Sequence, residues 1–166
     1  MRTRNILALA IALFALAASF PASASASSRA QDTEQRTKAL ILAFERKDLQ
    51  AVSALFDADA TLTLPLSFTG RREDAAHFTG KTEALAYVKN AFTIMGRIDF
   101  VNVKVSVSAD GKESFVQANG DFTTADGRPY QNVYVYHFEW RGGRVVKGLE
   151  YGNPVTFCNT FGAPGC

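Results

Sequence analysis

A chain of 166 residues, 47% of them hydrophobic and 20% charged, with a formal charge of +2, is sized and composed for one globular domain. The positive excess rests on Arg2 and Arg4; without them the charge is zero, which leaves no basic footprint for nucleic acid or for an anionic membrane surface. The two histidines, His77 and His137, lie far from the two cysteines, so neither a metal site nor any other cofactor is expected.

The N-terminus carries Arg2 and Arg4, an apolar run from Ile6 to Phe20, then Pro21 and overlapping Ala-Ser-Ala steps. That run is shorter than the ~20 residues a membrane-spanning helix needs. Its small-residue tail suits signal peptidase, so residues 1–26 are expected to be a signal peptide cut after Ala24 or Ala26. The expected location is secreted or periplasmic, with no membrane contact after cleavage.

From Asp32, Thr37, Leu40, Ile41 and Phe44 recur at the spacing of one helical face. Asp48 is placed to cap a second, shorter helix with Leu49, Val52, Leu55 and Phe56 inward, and the "DADA" sequence after it reads as a turn. Thr61 to Leu64 can form a strand that Pro65 stops; residues 65–79 read as a loop or irregular edge. A third helix is expected from Gly80, with Ala84, Leu85, Val88 and Phe92 on its apolar face and Glu83 near its positive end.

After Gly96 the period changes to two. "FVNVKVSVS", "ESFVQANGDFTT", "PYQNVYVYHFEW" and the strand from Val145 read as consecutive antiparallel strands joined by "ADG", "ADGR" and "RGGR" turns. Three N-terminal helices followed by four strands predict an α+β class, with the helices on one side of a curved, mostly antiparallel sheet. Cys158 and Cys166 sit in the C-terminal tail, residues 158–166, and are expected to pair as a disulfide in an oxidising compartment.

Familiar catalytic signatures fail. "GKT" at 80–82 ends like a phosphate-binding loop, but Ala75 stands where that motif needs glycine. Gly-x-Ser-x-Gly, His-Glu-x-x-His and Cys-x-x-Cys do not occur.

The order "ILAFERKDLQAVSALFDADATLTLP", "FTGKTEALAYVKNAF" and "YQNVYVYHFEWRGGRVVKGLEYGNPVTF" resembles the SnoaL-like branch of the nuclear-transport-factor-2-like superfamily, over residues 31–161. The resemblance implies a cone-shaped α+β barrel whose helices and concave sheet enclose a mostly apolar pocket, commonly in a homodimer. Ketosteroid isomerases, polyketide cyclases, dehydratases, epoxide hydrolases and binding domains share that fold, so fold alone selects no activity. At the positions of the two ketosteroid-isomerase aspartates this chain has Leu64 and Tyr136. "LEYGNP" is closer to the phenazine-biosynthesis A/B proteins, in which an acidic residue before such a turn acts as acid and base; the match carries over to Glu150.

On the final strand Val146, Gly148 and Glu150 alternate against Val145, Lys147, Leu149 and Tyr151. The resemblance turns the Glu150 face inward beside Tyr136. There Glu150 would be the acid/base and Tyr136 a hydrogen-bond donor, with Asn132, Tyr134, Phe138, Gly148 and His77 completing the pocket. Gln117, Asn119 and Asp121 would extend its polar wall if their face is inward. The alternatives are a Glu150 that is solvated or paired with Arg141, Arg144 or Lys147, tyrosines that are simply core, and an exposed His77. Val133, Val135 and the valines of 101–107 form an apolar outer face that a homodimer would cover, His137 included. The expected function is binding of a small, largely apolar molecule with acid/base chemistry of isomerase, cyclase or dehydratase type. A non-catalytic binding module and a homodimeric interaction domain stand as alternatives.

Overall fold

The computed structural model describes residues 22–162 and Cys166. The expected signal peptide lies outside the described residues up to position 21, and its two cleavage points fall in the opening turns of the first helix. The elements run α1 (Ala22–Glu45), α2 (Leu49–Leu55), β1 (Phe56–Leu64), β2 (Ala76–Thr79), α3 (Gly80–Ile94), β3 (Met95–Arg97), β4 (Phe100–Val107), β5 (Glu113–Thr124), β6 (Pro129–Arg141), β7 (Arg144–Gly152) and α4 (Pro154–Phe161). The class is α+β, with helices on the concave side of a curled half-barrel sheet.

Seven strands make one sheet in the order β2-β1-β7-β6-β5-β3, with β4 also paired to β5. All neighbours are antiparallel except β1 and β7, which run parallel and close the curl. Strict alternation on β5 and β6 turns Val116, Ala118 and Phe122 inward with Tyr130, Asn132, Tyr134, Tyr136, Phe138 and Trp140. Gln117 and Asn119 are therefore exposed and Asp121 is on the outer side, bonded to Arg97 and Gln131, so none of them reaches the interior. Gly120 leaves room for two rings: a side chain there would meet Tyr134 and Phe122 at 2.8 and 2.9 Å.

The helices bury the faces their spacing predicts. Thr37 and Leu40 on α1 and Ala84 on α3 are completely buried. Asp48 caps α2 by accepting from the Ala51 N–H. A polar lock ties α1 to the sheet: Ser114 Oγ accepts from Trp140 Nε1 and donates to Thr37 Oγ1, each at 2.8 Å, while Thr37 Oγ1 donates to the Thr33 carbonyl at 2.7 Å. These groups are satisfied inside the core, so the lock adds specificity without a desolvated orphan.

Several expectations change. "DADA" is not a turn but the first half of β1, extended across an irregularity between the pairs Phe56–Val145 and Thr61–Lys147 that tie β1 to β7. Of the two readings of residues 65–79, loop or irregular edge, the second holds for Ala76–Thr79, the edge strand β2. The Asn-Pro turn opens a further helix, α4, with Asn153 as its cap and Pro154 in its first turn. Cys158 on α4 is bonded to Cys166, with their Cα atoms 5.4 Å apart.

Candidate active site

Glu150 points into the cone. It sits on β7 directly opposite Tyr136 on β6. The face it shares differs from simple alternation, because an irregularity between Glu139 and Trp140 shifts the register. Before the shift Val145 is the buried residue opposite Trp140; beyond it Gly148 and Glu150 turn inward, and Val146 does not share their face. The cations offered as surface partners look elsewhere: Lys147 binds Glu139 at 2.9 Å, Arg141 approaches Asp57, and Arg144 is exposed.

From the opposite wall, α3 brings Tyr87, whose hydroxyl donates to Glu150 Oε2 at 3.1 Å. Tyr87 is itself held by stacking on Phe78 of β2, ring centroids 4.8 Å apart. Burial among aromatic and aliphatic groups raises the Glu150 pKa from 4.5 to about 7, and the Tyr87 hydrogen bond opposes that rise. Burial also pushes the phenols of Tyr87, Tyr134 and Tyr136 upward, reinforced by the nearby carboxylate, so they remain protonated donors.

Glu150 stands between adjoining chambers. The inner one, about 130 Å³, is walled by aromatic and aliphatic side chains including Phe44, Phe92, Phe100, Phe122, Tyr136 and Phe138. The outer one, about 250 Å³, is bounded by Leu64, Leu66, Phe68, Ala76, Asn132 and the β7–α4 turn. Tyr87, Tyr130, Tyr134, Glu150 and Phe157 belong to both walls and form the neck. Among the described residues lining the chambers, Glu150 alone carries a charge. A dry cavity of ~150 Å³ accepts benzene, so the inner chamber is about the size of one ring. The Tyr136 hydroxyl has no protein partner among the described residues, yet no sealed polar side-chain atom is left unpaired; it therefore touches open cavity.

Of the residues singled out from sequence, Glu150, Tyr136, Tyr134 and Phe138 come together in this wall. Asn132 borders the outer chamber, but its amide is consumed by protein hydrogen bonds. Gly148 does not border ligand space: a Cβ there would meet Leu62 Cδ1 at 2.9 Å, so its missing side chain makes room for Leu62. His77 is not in the pocket. On β2 the inward positions are Ala76 and Phe78, opposite Leu64 and Leu62, so His77 points outward and bonds Thr63 Oγ1 at 2.7 Å. Tyr87 was the residue not anticipated; its spacing from Ala84 and Ala91 is the signal that would have found it.

The arrangement is a lone carboxyl group, half-ionised near neutrality, facing neutral hydroxyl donors in an apolar chamber. The sequence pattern of the SnoaL-like domain matches residues 37–148. The chain belongs to the SnoaL-like domain family. The uncharacterized protein YesE of Bacillus subtilis (strain 168) is 26% identical over 117 residues, 70% of this SnoaL-like chain and 78% of that protein. Among solved structures, an NTF2-like protein of unknown function from Burkholderia pseudomallei K96243 superimposes with a TM-score of 0.66 at 21% identity, covering 80% of this chain and 98% of that one. A phenazine biosynthesis-related protein from Pseudomonas aeruginosa gives 0.66 at 16% identity, covering 85% and 92%. At these identities the likenesses establish the fold of this SnoaL-like domain, and its chemistry has to be argued from the chambers.

Proposed function

We propose that this SnoaL-like domain is an exported protein that binds a small, largely apolar molecule across the neck, with Glu150 as the proton-transferring group and Tyr136 as a hydrogen-bond donor. The observation that carries the reading is Glu150 itself, which among the described residues has no lining cation beside it in the cavity and a single hydrogen bond, from Tyr87. Near neutral pH the carboxylate form can take a proton from a bound molecule, and the resulting acid can return it at a second position. Tyr136, unpaired and firmly protonated, can donate to the atom on which charge develops. Isomerase, cyclase and dehydratase chemistry all need such a step. Export is supported by the apolar segment from Ile6 to Phe20 and its Ala-Ser-Ala tail.

A binding role without chemistry is favoured by a different observation: the chambers hold no second charged acid or base among the described residues. The test is native mass spectrometry of protein purified from its own compartment, followed by Glu150→Gln and Tyr136→Phe. A released molecule whose affinity drops in both variants supports the site; unchanged affinity in both would sink it. Turnover with a pH midpoint near 7, abolished in Glu150→Gln, separates enzyme from binder.

The outer sheet face carries Val101, Val103, Phe115, Val133 and Val135, all exposed, Val133 to 57%. His137 lies on this face, stacked on Phe115 at 4.4 Å and bonded to Glu113. Such a patch supports a homodimer through the sheet. Sedimentation equilibrium should give a dimer that Val133→Asp converts to monomer; a wild-type monomer at micromolar concentration contradicts the assembly.

A further inference from the structure

We propose that Tyr130 is a second ligand-directed donor, held in that role by Asn132, and that the ligand accordingly carries a neutral oxygen acceptor, such as a ketone or ester carbonyl, at the neck. This rests on the reading of the chambers as a binding site.

The argument is an accounting of hydrogen bonds. Asn132 Oδ1 accepts from the backbone N–H groups of Val133 at 2.8 Å and Asn153 at 3.0 Å. Two backbone donors define that end of the amide as oxygen, so the other end is the NH2 group. Its nitrogen donates to Tyr130 Oη at 2.8 Å and to the Asn153 carbonyl at 3.3 Å. Both lone-pair positions and both protons of Asn132 are used, and none remains for a ligand.

The consequence falls on Tyr130. Its oxygen accepts the bond from Asn132, and its hydroxyl neighbours that of Tyr134. The proton of Tyr130 must therefore point away from Asn132, and since a contact between the Tyr130 and Tyr134 hydroxyls uses at most one of their two protons, a phenol proton is left for the chambers. Tyr130 lines both chambers, and its ring is pinned between Phe122 and Phe161, centroids 6.1 and 5.3 Å away. A hydroxyl that accepts hydrogen bonds is polarised into a better donor. The ligand class follows from charge: the donors are neutral phenols, no cation among the described residues lines the chambers, and Glu150 repels an anion once ionised. A neutral acceptor oxygen is what this neck can hold.

Asn153 ties the device to the C-terminal helix. Its side chain caps α4 while its backbone N–H and C=O both engage Asn132. Asn132 is thus a positioning residue, acting on ligand through Tyr130.

The test compares acetophenone with ethylbenzene, a pair of similar shape that differs by the carbonyl oxygen, using calorimetric titration and the carbonyl stretching band of bound acetophenone. In the wild-type protein acetophenone should bind about fivefold to tenfold more tightly, the range of a net hydrogen bond. In Tyr130→Phe that ratio should fall at least threefold and the carbonyl band should move back toward its position in hydrocarbon solvent. Asn132→Asp keeps acceptors for Val133 and Asn153 but offers Tyr130 a carboxylate to donate to, so it should reproduce the Tyr130→Phe result. Equal binding of the two probes, or a ratio and band unchanged in both variants, overturns the role of Tyr130 while leaving the pocket standing. Failure of both probes to bind the wild-type protein overturns the binding-site reading and this inference with it.

Discussion

Replacing Glu150 with glutamine should stabilise the protein at alkaline pH and leave it nearly unchanged near pH 4.5. The buried carboxyl has its pKa raised from 4.5 to about 7. Between those values the unfolded chain has released this proton and the folded protein still binds it, so stability falls as pH rises through the interval. At about 1.4 kcal/mol per pKa unit the loss reaches about 3 kcal/mol and is complete above pH 7. Glutamine stays neutral, keeps an oxygen for the Tyr87 hydroxyl and escapes the penalty. Urea unfolding of both proteins at half-unit steps from pH 4.5 to 8.5 measures the difference directly. The curves should converge at the acid end and separate by about 3 kcal/mol at the alkaline end, roughly 6–12 °C in Tm for a domain of this size. Parallel curves, or a variant less stable at pH 8, would show that Glu150 ionises as an ordinary exposed carboxylate and would refute the electrostatic argument for the site.

Tyr87→Phe removes the one hydrogen bond that lowers the Glu150 pKa, so the carboxyl should titrate above about 7; a carbon-13 NMR titration of the glutamate side chains reads the midpoint, and an unmoved midpoint contradicts the contact. Gly148→Ala pushes a methyl group against Leu62 Cδ1 at 2.9 Å and should cost about 1–3 kcal/mol in urea unfolding without changing the pH dependence. Loss of the Cys158–Cys166 bond, by reduction or by double substitution to serine, should lower stability by at most about 2.5 kcal/mol, the chain-entropy value for so short a loop. Limited proteolysis should then cut first in α4, and an unaltered digestion pattern would show that the bond does not anchor the tail.

What was legible in the sequence was whatever obeys a single period. Alternation on β6 placed Tyr134, Tyr136 and Phe138 on one face, and that face is the inner one. The neighbourhood of Glu150 and Tyr136 came from resemblance to a known final strand and agrees with the register. The misreadings lie where a period is broken or carries no phase. The irregularity opposite Glu139 and Trp140 shifts β7 and takes Val146 off the Glu150 face, which alternation alone could not reveal. The short edge strand β2 has too few residues to fix its phase, and His77 fell on the wrong side. Gly148 looked like space for a ligand because a missing side chain does not say which neighbour fills it; Leu62 arrives from β1, far away in sequence. The expected apolar face of α3, Ala84, Leu85, Val88 and Phe92, omits Tyr87; Val88 and Phe92 do line the inner chamber, and Tyr87 and Ala91 beside them line it too. Asn153 followed by Pro154 was a cap signal for α4 hidden by reading the pair as a turn.

The position of Glu150 argues against a purely structural role on energetic grounds. A core built for stability would hold leucine there, or would turn one of the adjacent cations inward. Lys147 and Arg141 instead lie on the outer side with Glu139 and Asp57, and among the described residues the phenol of Tyr87 is the single group bonded to the carboxyl. The fold thus carries a penalty of about 3 kcal/mol at neutral pH, a large share of the 5–15 kcal/mol by which domains are stable. A groove that keeps a half-ionised acid among neutral donors gains from this only when something occupies it. A bound neutral acceptor would engage the phenol donors of Tyr130 and Tyr136, and its own protons would lie within reach of Glu150. On this reasoning the unpaired donors and the uncompensated acid are two halves of one site, and stability was given up in the same place to hold both.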